Sequence, residues 1–126
     1  MQAYTRWLFG AAATVNFVVG LVFLFARSWF LGTFGLDAVA GSNIVLGNLV
    51  GMFIVLFGYS YLLVAMDAAR YRVFIPLGAI GKLCAVACGV VPWVLHEVSA
   101  TLPALLGIDL VFAVLFFDYL RRTRAS

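Results

Sequence analysis

Three polar residues stand inside long apolar runs of the sequence and are the first candidates for chemistry: Lys82, Asp109 and Asn16. Lys82 is the only lysine in the chain. If the runs are membrane helices, a rise of about 1.5 Å per residue puts all three near the middle third of the bilayer. A lone charge at that depth costs about 2.5–3.5 kcal/mol. We therefore predict an ion pair between Lys82 and Asp109, with Asn16 as a further hydrogen-bond partner.

This polar cluster is open to more than one interpretation. Buried polar groups can fix the register of two helices and do nothing else. An ionisable pair inside a membrane can also mark a proton or substrate path, or bind a ligand. Burial can neutralise both groups and leave a plain hydrogen bond. Lys82 can instead extend toward the nearer membrane edge and avoid Asp109.

Cys84 and Cys88 are one helical turn apart and could present two thiols to a soft metal. A metal site needs further ligands, and the sequence has no third cysteine and only one histidine, His96. Buried cysteines are usually small packing residues. The sequence also lacks a Ser-His-Asp set or a phosphate-binding loop. We expect no metal, no cofactor, no catalytic residue and no enzyme activity.

The elements that must position these residues are set by the composition. The chain has 126 residues, of which 66% are hydrophobic and 10% charged, well outside the range of soluble domains. Four apolar runs have the roughly 20 residues that a helix needs to cross a bilayer. These spans 1 to 4 cover residues 7–26, 44–65, 74–95 and 102–120. Backbone groups in lipid must bond within the segment, so the spans are predicted to be helices.

The loops between the spans are short, which makes consecutive helices antiparallel neighbours. The predicted fold is an all-α integral membrane protein, a four-helix up-down bundle in a single domain over residues 1–126. The longest loop contains the amphipathic stretch "WFLGTFGLDAV", residues 29–39. This stretch is expected to form a short helix in the membrane interface after span 1.

Small residues recur at helical spacing on spans 2 and 3, and they are expected to bring helix backbones close together. The predicted packing residues are Gly47, Gly51 and Gly58 on span 2 and Gly78, Gly81, Ala85 and Gly89 on span 3. These faces are interpreted as contacts within one protomer. The alternative is that one of them binds a partner subunit.

The basic residues predict the orientation in the membrane. With both termini in the cytoplasm, Arg27 is the only basic residue in an outside loop. The inside segments then carry Arg6, Arg70, Arg72, Arg121, Arg122 and Arg124. The positive-inside rule favours this orientation. Basic segments beside a membrane meet anionic lipid, so the net charge of +3 does not indicate nucleic-acid binding.

Two segments, "PLGAIGKLCAV" in span 3 and "GIDLVFAVLFFDYLRR" in span 4, resemble those of small bacterial four-span proteins of the DoxX-like kind. The resemblance covers the second half of the chain. It implies a four-helix bundle in the bacterial inner membrane. For some relatives it implies an accessory role beside quinone-linked redox enzymes. It carries over no catalytic residue.

Three functions are compatible with these features. The first is a non-catalytic accessory or structural subunit that contacts the lipid bilayer and a membrane protein partner. The second is an oligomeric small transporter or channel that uses Lys82, Asp109 and Asn16 along a path between protomers. The third is a redox accessory protein that binds a lipid or a quinone between its helices.

Overall fold

A computed structural model describes residues 2–124 of the chain, and its regular structure there is entirely helical. The elements are α1 (Gln2–Phe25), α2 (Arg27–Thr33), a 3-10 turn (Gly41–Asn43), α3 (Ile44–Met66), α4 (Phe74–Val94) and α5 (Thr101–Arg122). The predicted all-α class is therefore confirmed.

Four of these helices, α1, α3, α4 and α5, are long and apolar enough to cross a membrane. At about 1.5 Å per residue they exceed the roughly 30 Å hydrocarbon core. The protein is thus a multi-pass membrane protein. The predicted bounds of spans 2 to 4 agree to within two residues, but α1 begins at Gln2 and not at residue 7. The first turn of α1 contains polar side chains, so the apolar run of the sequence begins only at residue 7.

The chain divides into two compact units, and the boundary along the sequence falls between Arg70 and Tyr71. The first contains α1, α2 and α3 and is called the first hairpin. The second contains α4 and α5 and is called the second hairpin. Each hairpin brings two predicted spans together.

In the first hairpin, α1 and α3 pack antiparallel. A Cβ atom added at Gly20 would lie 2.6 Å from Val55 Cγ2, and one added at Gly51 would lie 2.5 Å from Leu24 Cδ2. Moving four residues forward along α1, from Gly20 to Leu24, moves the contact four residues back along α3, from Val55 to Gly51. The two helices therefore run in opposite directions. Side chains of one helix thus occupy the space that glycine leaves on the other, as small residues allow in membrane helix pairs.

The predicted packing residues of span 2 all lie on contacts within the first hairpin. Gly47, Gly51 and Gly58 are buried. A Cβ atom at Gly58 would lie 3.1 Å from Asn16 Cβ and 3.3 Å from the carbonyl oxygen of Ala13. The glycine face of α3 therefore serves contacts within the first hairpin.

A short helix does follow α1, as predicted, but it covers Arg27–Thr33 and not residues 29–39. Its Phe30 is buried and packs edge-on against Phe23 of α1, with ring centroids 5.4 Å apart. The chain leaves the helical conformation at Gly35, where φ is +67°. Glycine adopts that left-handed geometry without steric cost, so it ends this helical segment early.

In the second hairpin, α4 and α5 also pack antiparallel. Gly89, near the end of α4, lies against Leu106, in the first half of α5, and Leu106 Cδ1 fills the space that a Cβ atom would need. At the other end, Arg72 reaches Thr123. Of the four packing residues predicted on span 3, Gly78 and Gly89 are buried, and Gly81 and Ala85 are half-buried.

Candidate functional site: an ion pair between α4 and α5

Lys82 occupies the buried face of α4. Gly78, Lys82 and Gly89 are separated by four and seven residues, so they lie on one side of the helix. All three are buried. Glycine on this face lets α5 come close, and Leu106 of α5 fills the space beside Gly89. The sequence thus directs the lysine toward protein.

The ammonium of Lys82 meets Asp109 directly. Nζ of Lys82 donates a hydrogen bond to Oδ1 of Asp109 over 2.8 Å. The Lys82 side chain is only 4% exposed, and that of Asp109 is 24% exposed. Charge-assisted hydrogen bonds of this length are about twice as strong as neutral ones. The pair predicted from the compatible depths of the two residues on neighbouring helices is present within the second hairpin.

An aromatic ring also lies beside the ammonium. Nζ of Lys82 lies 5.3 Å from the ring centroid of Phe112. Phe112 follows Asp109 by one turn of α5, so the carboxylate and the ring come from the same helix face. The ring surface attracts the cation and excludes water from one side of the pair.

Asn16 belongs to the first hairpin. Its Nδ2 donates a hydrogen bond of 3.1 Å to the carbonyl oxygen of Ile54, and the side chain is half-buried. The acceptor lies on α3, so the amide joins α1 to α3 at mid-helix. The predicted role of Asn16 as a further partner of the ion pair stays a prediction.

Both cysteines are free thiols on exposed positions of α4. Within residues 2–124, no group of three or more His, Cys, Asp or Glu side chains is placed to hold a metal ion. Cys84 and Cys88 therefore lie on the outer surface of α4 and do not belong to the face that carries Lys82.

Two polar contacts at the helix ends were not predicted from the sequence. Arg27 donates to Asn48 Oδ1 over 2.8 Å in the first hairpin. In the second hairpin, Arg72 donates to Thr123 Oγ1 over 2.7 Å and to the carbonyl oxygen of Leu120 over 3.5 Å. Both arginines lie in loops between the predicted spans.

The ion pair can do two things chemically. A closed Lys–Asp contact fixes the register of α4 against α5, because a slip of one residue on either helix would turn one charge away from the other. The pair can also exchange a proton, since transfer from the ammonium to the carboxylate leaves a neutral hydrogen bond. Asp109 keeps part of its side chain exposed and is the member that an outside group can reach.

Comparison with protein-family models, with curated proteins and with solved structures finds no match to this chain. Function is therefore inferred from the geometry of the two hairpins and from the pattern of the sequence.

Proposed function

We propose that this protein is a non-catalytic accessory or structural subunit that packs against other membrane helices in a larger complex. The observation that supports this most is the open side of Asp109. Its carboxylate is bonded to Lys82 through Oδ1, yet a quarter of the side chain stays exposed. Asp109 is the ninth residue of α5, about 12 Å along that helix.

Exposure of a carboxylate at that depth is unfavourable in lipid. Insertion of a charge at the helix centre costs about 2.5–3.5 kcal/mol. A hydrogen-bond donor on a partner helix removes part of that cost. The rest of the α5 surface is apolar, with exposed Ile108, Leu110, Val111 and Val114. A polar group within an apolar helix surface is typical of contacts between membrane helices.

The proposed location is the bacterial inner membrane, with both termini in the cytoplasm. Six of the eight basic residues are inside in that orientation, which supports it through the positive-inside rule. The resemblance of the α4 and α5 segments to DoxX-like proteins supports the same membrane and an accessory role.

Native gels of membranes extracted in mild detergent test this proposal. We expect a band well above the 13.7 kDa protomer for the unaltered chain. Asp109→Asn retains a hydrogen-bonding group and is expected to keep that band. The double variant Lys82→Met/Asp109→Leu removes both charges together, which buried pairs often tolerate. We expect it to stay helical by circular dichroism but to lose the larger band.

Asp118→Asn is the matched control, because it changes an aspartate of the same helix near its end. Asp118 bonds to Arg121 and Arg122 through contacts of 2.9 and 2.8 Å. This variant should retain the larger band. A lone protomer in every mild extract of the unaltered protein would contradict the proposed role.

A second candidate function is an oligomeric transporter or channel. It is favoured by the direct contact of two ionisable groups, Lys82 and Asp109, inside a membrane helix pair. Flux into liposomes that carry the purified protein tests it. Lys82→Met and Asp109→Asn should each abolish flux, and Asp118→Asn should not. Flux that is the same in all of these variants would exclude this function for the ion pair.

A further inference from the structure

The guanidinium of Arg27 is held in place at the end of α1. Its Nε donates to the carbonyl oxygen of Phe23 over 3.3 Å, and its Nη2 donates to Oδ1 of Asn48 over 2.8 Å. Cζ of Arg27 also lies 5.1 Å from the ring centroid of Phe23. Three contacts from two helices thus fix one planar cation.

Gly47 makes this position possible. A Cβ atom at Gly47 would lie 3.1 Å from both Cζ and Nη1 of Arg27, so the guanidinium rests directly on the backbone of α3. A residue with a Cβ atom would push the guanidinium away by a few tenths of an ångström. The glycine, the arginine and the following Asn48 therefore form one preformed polar site in the first hairpin, which we call the Arg27–Asn48 site.

Two donors of this site point to an external acceptor. Within residues 2–124, the structure records acceptors for Nε and Nη2 of Arg27, which leaves Nη1 available. Asn48 accepts through Oδ1, which leaves its Nδ2 amide available. Asn48 is exposed and Arg27 is half-buried. Two N–H donors from one bonded arginine–asparagine pair, one of them charged, fit an oxyanion.

The surrounding backbone favours negative charge as well. α3 begins at Ile44 with no acidic residue in its first turn and no side-chain cap on its N-terminus. The positive end of the α3 helix dipole lies at this turn. No carboxylate faces Arg27 among its recorded contacts in residues 2–124. The local field therefore adds to the attraction of the guanidinium.

The depth of the site identifies the anion. Asn48 is the fifth residue of α3, about 6 Å along the helix from its start. The polar headgroup layer adds about 5–7 Å on each side of the hydrocarbon core. We propose that the Arg27–Asn48 site binds the phosphate group of a membrane phospholipid, in the leaflet where α1 ends and α3 begins. The exposed Val45, Leu46 and Leu49 next to it give the acyl chains an apolar surface.

Native mass spectrometry of the full chain in neutral detergent, titrated with phosphatidylglycerol, tests the site. We expect one tightly retained lipid on the unaltered chain. Arg27→Gln and Asn48→Leu should each weaken retention by roughly tenfold, the loss of one charge-assisted hydrogen bond. Arg124→Gln removes the same charge at an exposed position of the other hairpin and should leave retention unchanged.

Two further arms separate the sources of the ligand. Diacylglycerol with the same acyl chains lacks the phosphate, and its retention should be weak and equal in all variants. Inorganic phosphate at millimolar concentration should not displace the lipid. Displacement by phosphate would overturn the assignment to lipid in favour of a free anion. Equal losses in Arg27→Gln and Arg124→Gln would overturn the site. If Arg27→Gln does not fold, Asn48→Leu alone decides between these outcomes.

Discussion

The two hairpins hold their helices together by different means. In the first, glycines of one helix accept side chains of the other along most of the contact, at Gly20, Gly51 and Gly58. In the second, an ion pair joins the helices near their middle and Arg72 joins them at one end. Of an apolar 18-residue stretch of α1, 39% is buried, against 11% of the corresponding stretch of α5.

This difference shows two solutions to the same physical problem. Lipid is as apolar as leucine, so apolar surface alone does not associate helices in a membrane. Close approach gives many weak contacts and depends on shape. A polar contact gives one strong interaction and depends on two residues. We therefore expect the second hairpin to be sensitive at few positions and the first to be sensitive wherever a glycine receives a side chain.

The largest effect is expected from Asp109→Leu. It leaves the buried ammonium of Lys82 without its carboxylate, at a cost of about 2.5 kcal/mol or more. Lys82→Met/Asp109→Leu should regain most of that stability, because no charge remains. Unfolding of the purified protein by denaturing detergent, followed by circular dichroism, measures both. Additive losses in the double variant would show that the pair does not act as a unit.

The next effect is expected from Gly20→Ala. The new Cβ atom would lie 2.6 Å from a methyl group of Val55 and 3.2 Å from its backbone nitrogen, so the helices must separate. Overpacking of this kind costs about 1–3 kcal/mol. Gly10→Ala is the matched control on the same helix, since nothing lies within 4 Å of its added Cβ. The same unfolding measurement should show little loss for it.

Gly89→Ala extends that test to the second hairpin. It meets Leu106 Cδ1, the end of a flexible side chain that can rotate away, so the loss should be smaller than for Gly20→Ala. A larger loss at Gly89 would mean that shape, and not the ion pair, dominates the second hairpin as well.

A smaller effect is expected from Arg72→Gln. It removes hydrogen bonds to Thr123 and to the carbonyl oxygen of Leu120 at the end of α5, worth about 1 kcal/mol together with the helix dipole. Hydrogen exchange in the last turn of α5 should accelerate. Arg124→Gln removes an equal charge two residues past α5 and should leave exchange there unchanged. Similar acceleration in both variants would show that the loss of a positive charge, and not the loss of the Arg72 hydrogen bonds, causes the effect.

The smallest effect is expected from Cys84→Ala and Cys88→Ala. Both thiols are exposed on α4 and lie away from the face that holds Lys82. Exposed substitutions usually change stability by less than about 0.5 kcal/mol. Unfolding curves of the two variants should coincide with that of the unaltered protein. A clear loss would place the cysteines in a contact of their own.

Much of this architecture is predictable from the sequence, because in lipid a helix must satisfy its own backbone. The four spans follow from the length of the apolar runs. The contact of Lys82 with Asp109 follows from depth and from the cost of an unpaired charge. The length of an apolar run and the depth of a residue along its helix are properties of one helix, and residue order records them directly.

The missed contacts depend on how two helices pack. Nothing in residue order shows that Gly47 would receive the guanidinium of Arg27, because that needs the register of α1 on α3. The early end of α2 likewise depends on the positive φ of Gly35, in a stretch whose apolar pattern continues past it. Arg72 lies in a loop of the sequence. Its hydrogen bond to a carbonyl oxygen at the end of α5 depends on the packing of α4 against α5, which the charge pattern does not record.

The sequence separation of the ion pair has a consequence for synthesis. Lys82 and Asp109 are 27 residues apart, so at about 5–20 residues per second the lysine exists for roughly 1–5 seconds before its partner is made. During that interval α4 carries an unpaired charge into the membrane. The second hairpin is therefore expected to be released into lipid as a pair of helices, with α4 retained at the site of insertion until α5 arrives.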